Sequence, residues 1–162
     1  MKKKIAIFTT TRGDMAILTP LIKKLKKEKK IKTYFFVGGT HNSKDYGNTI
    51  KEIKNLNIKV DGFFNNKSLA MQDNSYSLSK ILSQDQIKLA NIFKNYDFDY
   101  VCLIGDRYEK MAVAMNGILF KKKIAHIHGG EITLGSFDNQ IRNMFSQASD
   151  LHFVICEEYK KN

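Results

Sequence analysis

Apolar and polar residues fall into two alternating kinds of block along the chain. "KIAIFTT" (residues 4–10) is a short apolar, β-branched run that gives way to polar residues and Gly13, the pattern of a buried strand leaving a sheet. Met15, Leu18, Leu21, Ile22 and Leu25 then recur at helical spacing with lysines opposite. The only proline, Pro20, is expected in the early turns of this helix, where it is tolerated best. "KTYFFVGG" (32–39) reads as a second strand stopped by two glycines, and "HNSKDYGNT" (41–49) as a polar loop. "TIKEIKNL" (49–56) is a short helix, and "IKVDGFF" (58–64) a weaker third strand. Residues 65–76 read as an irregular polar loop. A longer helix over residues 77–95 carries Leu78, Ile81, Leu82, Ile87, Leu89 and Ile92.

The same alternation continues to the last residues. "DYVCLIGD" (99–106) is a strand, "RYEKMAVAMNGILF" (107–120) a helix, and "KIAHIH" (123–128) a strand. "DNQIRNMFSQAS" (138–149) is a helix and "LHFVIC" (151–156) a strand. Strand and helix taking turns predict an α/β fold, a mostly parallel sheet with helices on both faces. There is no internal repeat, low-complexity segment or linker, so residues 1–162 read as a single Rossmann-like domain. In such sheets ligands bind beyond the carboxyl ends of the strands. Four polar clusters fall there: Arg12 and Asp14, then Gly38 to His41, then Gly105 to Arg107, then His128 to Glu131.

Composition narrows the picture. At 162 residues and 43% hydrophobic content the chain is long and apolar enough to bury a core. No apolar run approaches the length of a membrane span, and the apolar run near the N-terminus is too short for a signal peptide. A cytoplasmic protein is expected. Cys102 and Cys156 both sit in apolar runs and read as buried thiols. The formal charge of +11 raises a nucleic-acid or anionic-surface partner. Yet 24 of the 27 basic residues are lysines, scattered or gathered on helix faces, which favours a solvated surface over a nucleic-acid or membrane partner. The three arginines, Arg12, Arg107 and Arg142, are more informative, because each lies beside an acid or in a polar cluster. A guanidinium binds phosphate or carboxylate through two parallel bonds, which an ammonium cannot copy.

The candidate chemistry concentrates in "HIHGGEITLGSFDNQIR" (126–142). The glycines in "RGD", "VGG" and "HGGE" allow backbone amides to approach an anion, and none belongs to a dinucleotide or P-loop motif. A diphosphate or sugar phosphate suits them better. Asp106, Glu131 and Asp138 share the clustered edge, where neighbouring carboxylates drive each other's proton affinities apart and create an acid and a base. Glu109 reads as a helix-start carboxylate facing the macrodipole. His126 and His128 alternate along a strand and are expected on one face. With Glu131 they suggest either a metal site or one packed and one substrate-facing histidine. His152 reads as structural, and His41, in a polar loop, as exposed to a ligand. No "GxSxG" elbow supports a serine triad.

"KIAIFTTTRGD", "VGGTHNSKDYGNTIKEI", "GDRYE", "AHIHGGEITLGSFDNQIR" and "LHFVICEEY" resemble, in order and spacing, the hydrolysing UDP-N-acetylglucosamine 2-epimerases, in the branch that serves sialic and legionaminic acid pathways. The resemblance runs over essentially the whole chain. It implies half of a GT-B fold, in which two Rossmann-like domains enclose the site. It implies a UDP-sugar substrate and no cofactor, and conversion of UDP-N-acetylglucosamine or a diacetamido analogue to UDP and the 2-epimer. A base would remove the C2 proton as UDP leaves C1; water would then add to C1 and C2 be reprotonated on the opposite face. By matched position Asp106, Glu131, Asp138 and His128 are the catalytic candidates, and Arg12, His41, Arg107 and Arg142 surround the substrate. The pattern departs at "TTTRGD", where the family has "TGTRA[DE]", at Asp138–Asn139, where it has two acids, and at Asn143, where it has histidine. The family is more than twice as long. The resemblance therefore implies the N-terminal domain without its C-terminal one, weak or inactive alone and completed by a separate C-terminal domain or by a homo-oligomer. The alternative is a sugar-nucleotide-binding or assembly module without catalysis.

Overall fold

A computed structural model describes residues 1–43, 46–47, 49–64 and 74–162, with Asn42 described through its backbone only. The strands are β1 (Lys3–Thr9), β2 (Ile31–Val37), β3 (Gly62–Phe63), β4 (Tyr100–Ile104), β5 (Lys123–Ile127) and β6 (Leu151–Phe153). The helices are α1 (Arg12–Lys27), α2 (Ile50–Asn55), α3 (Ser75–Asn95), α4 (Met111–Leu119) and α5 (Asp138–Gln147). All neighbouring strands run parallel, in the order β3-β2-β1-β4-β5-β6. This is the doubly wound order, in which the chain proceeds outward from β1 in one direction and then from β4 in the other.

Both faces of the sheet are covered, and the strands show it. In β1, Ala6 and Phe8 enter one core with Phe36, Val101 and Leu103, packed under α3, α4 and α5. Ile7, between them, enters the other core with Val37, Cys102 and Ile104, under α1 and α2. A strand buried on both sides must be apolar at consecutive positions, which explains "IAIF". Phe8 stacks on Phe36 at 5.0 Å between centroids and lies 5.9 Å from Phe93, so aromatic rings fill the larger core. Thr11 and Asp14 close a reciprocal cap on α1, and Lys24, Lys26 and Lys27 complement the dipole at its far end.

Several sequence expectations need correction. Pro20 stands in the third turn of α1, not in its early turns, and the helix continues through it. The third strand shrinks to Gly62–Phe63 and the last to Leu151–Phe153, both at sheet edges. Ile87 lies on the exposed side of α3, at 67% exposure. Cys102 is buried, and burial pushes its thiol up to about 12, but Cys156 is exposed. Of the expected polar loops, residues 44, 45, 48 and 65–73 lie outside the described residues. Among the described residues no helix is long and apolar enough to cross a membrane.

One position on α3 conflicts with its surroundings. Asp85 is 1% exposed, on the face that also buries Leu89 and Ile92. Neither carboxylate oxygen has a hydrogen-bond partner among the described residues. Burial raises its proton affinity, Lys88 opposes and Glu109 adds to the rise, and the midpoint reaches about 7. The folded state therefore holds this proton while the unfolded chain gives it up from about pH 4. The resulting penalty on folding grows as pH rises from about 4 to about 7 and is complete above that. Asp85→Asn is expected to stabilise the fold at pH 8 by on the order of 4 kcal/mol, read as a higher melting temperature, and to leave the melting temperature nearly unchanged at pH 4. Thermal denaturation of both proteins at the two pH values checks this, and an equal shift at both would refute it.

Candidate active site

Polar residues collect beyond the carboxyl ends of β1, β2, β4 and β5, as the clusters in the sequence predict. The tips of β4 and β5 lie side by side, because Ile104 pairs with Ile127 and Gly105 N–H donates to the Ile127 carbonyl at 2.9 Å. After Ile127 the backbone turns sharply: His128 adopts a left-handed conformation with φ of 64°. The strand alternation therefore ends before His128, and His126 and His128 do not share a face. His126 is fully buried, with its ring nitrogens 2.8 Å from the Gly105 carbonyl and 3.1 Å from Ser146 Oγ. Burial lowers its proton affinity against the pull of the Gly105 carbonyl. With both nitrogens engaged, His126 has none to offer a ligand, and the metal alternative lacks its first donor. His152 is exposed on β6 rather than packed.

His128 stays partly open, and its Nδ1 lies 2.6 Å from Glu131 Oε1. The turn between them is tight. At Gly130 (φ 79°) an added Cβ would come within 2.1 Å of the Tyr159 carbonyl, so only glycine lets residues 159–162 close over it. Asn162 Nδ2 donates to the Gly130 carbonyl at 2.7 Å.

Arg142 is the organising cation. It lies on α5, is 4% exposed, and pairs with Asp106 at the tip of β4. It also donates to the Glu131 carbonyl, to Asn139 Oδ1 at 3.2 Å and to Thr133 Oγ1 at 3.1 Å. One guanidinium thus fixes the loop after β4, the loop after β5 and the start of α5 to one another. Asn139 closes the same loop from the other side, accepting from Thr133 N–H at 2.7 Å. Asp138, the first residue of α5, is partly exposed beside this group, and its charge reaches Arg107. Arg107 and Glu109 form a two-bond pair of 2.8 and 3.1 Å. Glu109 stands in the first turn of the 3-10 segment Tyr108–Lys110 that leads into α4, and at 1% exposure it is also the buried partner of Arg107. Burial works against the Arg107 charge, but Glu109 outweighs it and holds the guanidinium above its ordinary range.

Arg12 is exposed at the start of α1 and pairs with Glu52 at 3.1 Å. One candidate differs from its sequence reading. His41 is not exposed to a ligand: a short 3-10 turn, Gly39–Asn42, tucks it inside at 0% exposure. Its nitrogens meet Thr9 Oγ1 at 2.9 Å and Thr49 Oγ1 at 2.7 Å. Two buried groups escaped the sequence reading as site elements. Lys110 pairs with Asp14, and its signal is a lone cation heading ten uncharged residues, 111–120. Asp85 lies near Glu109, and its signal is an acid on the apolar stripe of α3.

Comparison with known proteins gives this geometry a context. The sequence pattern of a family described as UDP-N-acetylglucosamine 2-epimerase matches residues 23–162. The chain is 34% identical over 163 residues to the GDP/UDP-N,N'-diacetylbacillosamine 2-epimerase (hydrolyzing) of Campylobacter jejuni, covering 99% of this chain and 41% of the relative. It is 35% identical over 162 residues to polysialic acid biosynthesis protein P7 of Escherichia coli, covering 98% and 40%. Among solved structures, UDP-GlcNAc 2-epimerase from Neisseria meningitidis bound to UDP-GlcNAc superposes with a TM-score of 0.81 at 20% identity, over 98% of this chain and 41% of that one. A further UDP-N-acetylglucosamine 2-epimerase superposes at 0.84 and 23% identity, over 100% and 44%. These structural likenesses show the fold, one Rossmann-like half of a GT-B architecture. The chain spans about 40% of the length of the curated relatives it matches.

The His41 environment sets a test of the β1–β2 side of the site. Burial lowers its midpoint to about 4, against the opposing charge of Asp14. The folded state therefore resists protonation that the unfolded chain accepts below about pH 6.5. This group's contribution to stability is lost as pH falls from about 6.5 towards 4, and amounts to on the order of 3 kcal/mol. Ring resonances of His41 followed by NMR are expected to stay neutral until close to pH 4. A midpoint near 6.5 would mean that solvent reaches the ring.

Proposed function

The chain belongs to the UDP-N-acetylglucosamine 2-epimerase family, and we propose that its site acts on a UDP-linked 2-acetamido sugar, releasing UDP and the 2-epimer. The observation that carries the reading is the His128–Glu131 contact of 2.6 Å, set beside the Arg142-bound Asp106 at the sheet's carboxyl edge. Nδ1 of His128 faces Glu131 Oε1, and Nε2 takes the proton from C2 of the sugar. The electrons of that C–H bond form the C1–C2 double bond of a glycal as the C1–O bond to UDP breaks. Water then adds through its oxygen to C1, and C2 receives a proton on the opposite face. Asp138, partly exposed at the start of α5, carries that second transfer. Asp106, tied to Arg142, accepts a hydrogen bond from the sugar. Arg107 and Arg12 face the charge that develops on the departing diphosphate. Arg142 and the buried His41 hold the loops rather than touch the sugar.

The span of about 40% of the relatives' length favours a second reading, a non-catalytic sugar-nucleotide-binding or assembly module that pairs with a partner half. One experiment separates the two. Proton NMR of UDP-N-acetylglucosamine, and in parallel its diacetamido analogue, is followed in D2O with this chain. Slow release of UDP with deuterium at C2 of the product is the expected result for this chain alone, and His128→Gln is expected to slow it further, by roughly 100-fold or more. Binding without turnover would assign the chain to the module reading. Neither binding nor turnover would sink both.

A further inference from the structure

We infer that Lys110 is a positioning residue, whose buried pair with Asp14 fixes the loop after β1 against the loop after β4 across the opening of the site. The inference rests on the reading that this opening receives a sugar nucleotide. β1 and β4 pair only from Ile5 with Tyr100 to Ile7 with Cys102. Beyond that register their backbones part, because the chain leaves β1 towards α1 on one face and leaves β4 towards α4 on the other. The last residues of both strands, Thr9 and Ile104, therefore reach the site without a ladder between them. The segments that follow carry Arg12 on one side and Asp106 and Arg107 on the other.

Lys110 spans this gap. Its side chain is 0% exposed, and Nζ donates to Asp14 Oδ1 at 2.9 Å and to the Ile104 carbonyl at 2.6 Å. Asp14 Oδ2 in turn accepts from Thr10 N–H at 2.7 Å and Thr11 N–H at 3.2 Å, and lies within reach of the Thr9 and Thr10 hydroxyls. Thr10 is held further by the turn after β2: its carbonyl accepts from Thr40 N–H at 2.8 Å and Thr40 Oγ1 at 3.1 Å. A chain of hydrogen bonds thus runs from the tip of β4 through Lys110 and Asp14 to the tips of β1 and β2. Burial raises the proton affinity of Asp14, but Lys110 and the Thr10 amide outweigh it, so the carboxylate stays below its ordinary range.

Stability alone gives little reason for such a pair. Two charges removed from water cost several kcal/mol each, roughly what their attraction returns, and apolar pairs of the same volume often do as well. The pair is also neutral and enclosed, so it offers a ligand no net charge. What remains distinctive is direction: an ammonium with two fixed acceptors sets the distance between two loops that nothing else among the described backbone ladders joins.

Asp14→Asn/Lys110→Met tests this, because it removes both charges together and keeps an acceptor for the Thr10 and Thr11 amides. The readouts are melting temperature, UDP affinity by calorimetry, and assigned amide resonances. The expected result is a folded protein with a melting temperature near the parent's and UDP affinity weaker by roughly tenfold or more. Amide shifts are expected to concentrate at residues 9–14 and 104–107. Affinity within about twofold of the parent, with those amides in place, would overturn the inference. Should the parent itself not bind UDP, the functional reading fails, and the amide shifts still decide the positioning role. Should the double variant not fold, Lys110→Gln keeps a donor for the Ile104 carbonyl but no charge. Parent-like affinity in that variant would equally overturn the inference.

Discussion

The strand order reverses between β1 and β4, and the buried polar groups at the tips of those two strands follow from that reversal. Two parallel neighbours whose chains depart on opposite sides of the sheet cannot stay paired to their tips. Here the ladder between them stops at Ile7 and Cys102, short of the ends of both strands. The gap that opens is the place where backbone amides, carbonyls and side chains are left to satisfy one another. Thr9, Thr10, Asp14 and Lys110 all lie there, and all are buried. Each is polar because a strand end must be met by something that donates or accepts.

Away from the gap the chain is governed by coverage. A sheet with helices on both faces asks for apolar residues at consecutive strand positions, and the two cores meet that demand with aromatic rings on one side and aliphatic side chains on the other. On the carboxyl edge, Arg142 with Asp106 and Lys110 with Asp14 tie separate segments, and Arg107 with the buried Glu109 fixes a single loop. Asp85 stands apart, since it lies on a helix face whose neighbours offer no hydrogen bond. The contrast separates charges that shape loops from a charge that works against its own helix.

The alternation of strands and helices, and the four clusters at the strand tips, could be read directly from the chain, because period and composition are local properties. Long-range geometry could not. "GGTHN" looks like an exposed loop, and only the threonines contributed by β1 and by the turn before α2 make His41 an interior residue. The "HIH" spacing implies one shared face, until the backbone leaves the strand one residue early. Cys156 sits in an apolar run, but the run lies past an edge strand that no further strand covers among the described residues. Lys110 and Asp85 were hidden by the opposite effect, charged residues inside helices that read as ordinary surface positions. The site candidates were found where the motif is dense, and the groups that hold the motif in place were missed where it is sparse.

His128 carries a last implication. It is one of three non-glycine residues with positive φ among the described residues, and the only one of them in the candidate site. Glycine would adopt the same backbone shape without the steric penalty, which is of order 1–2 kcal/mol for a residue with a Cβ. Fold robustness and imidazole chemistry therefore pull in opposite directions at a single codon. A population of variants screened for heat tolerance alone would drift towards glycine at 128, and one screened for turnover would hold histidine there. The residue that remains after each kind of screening is a direct record of which pressure the protein answers to.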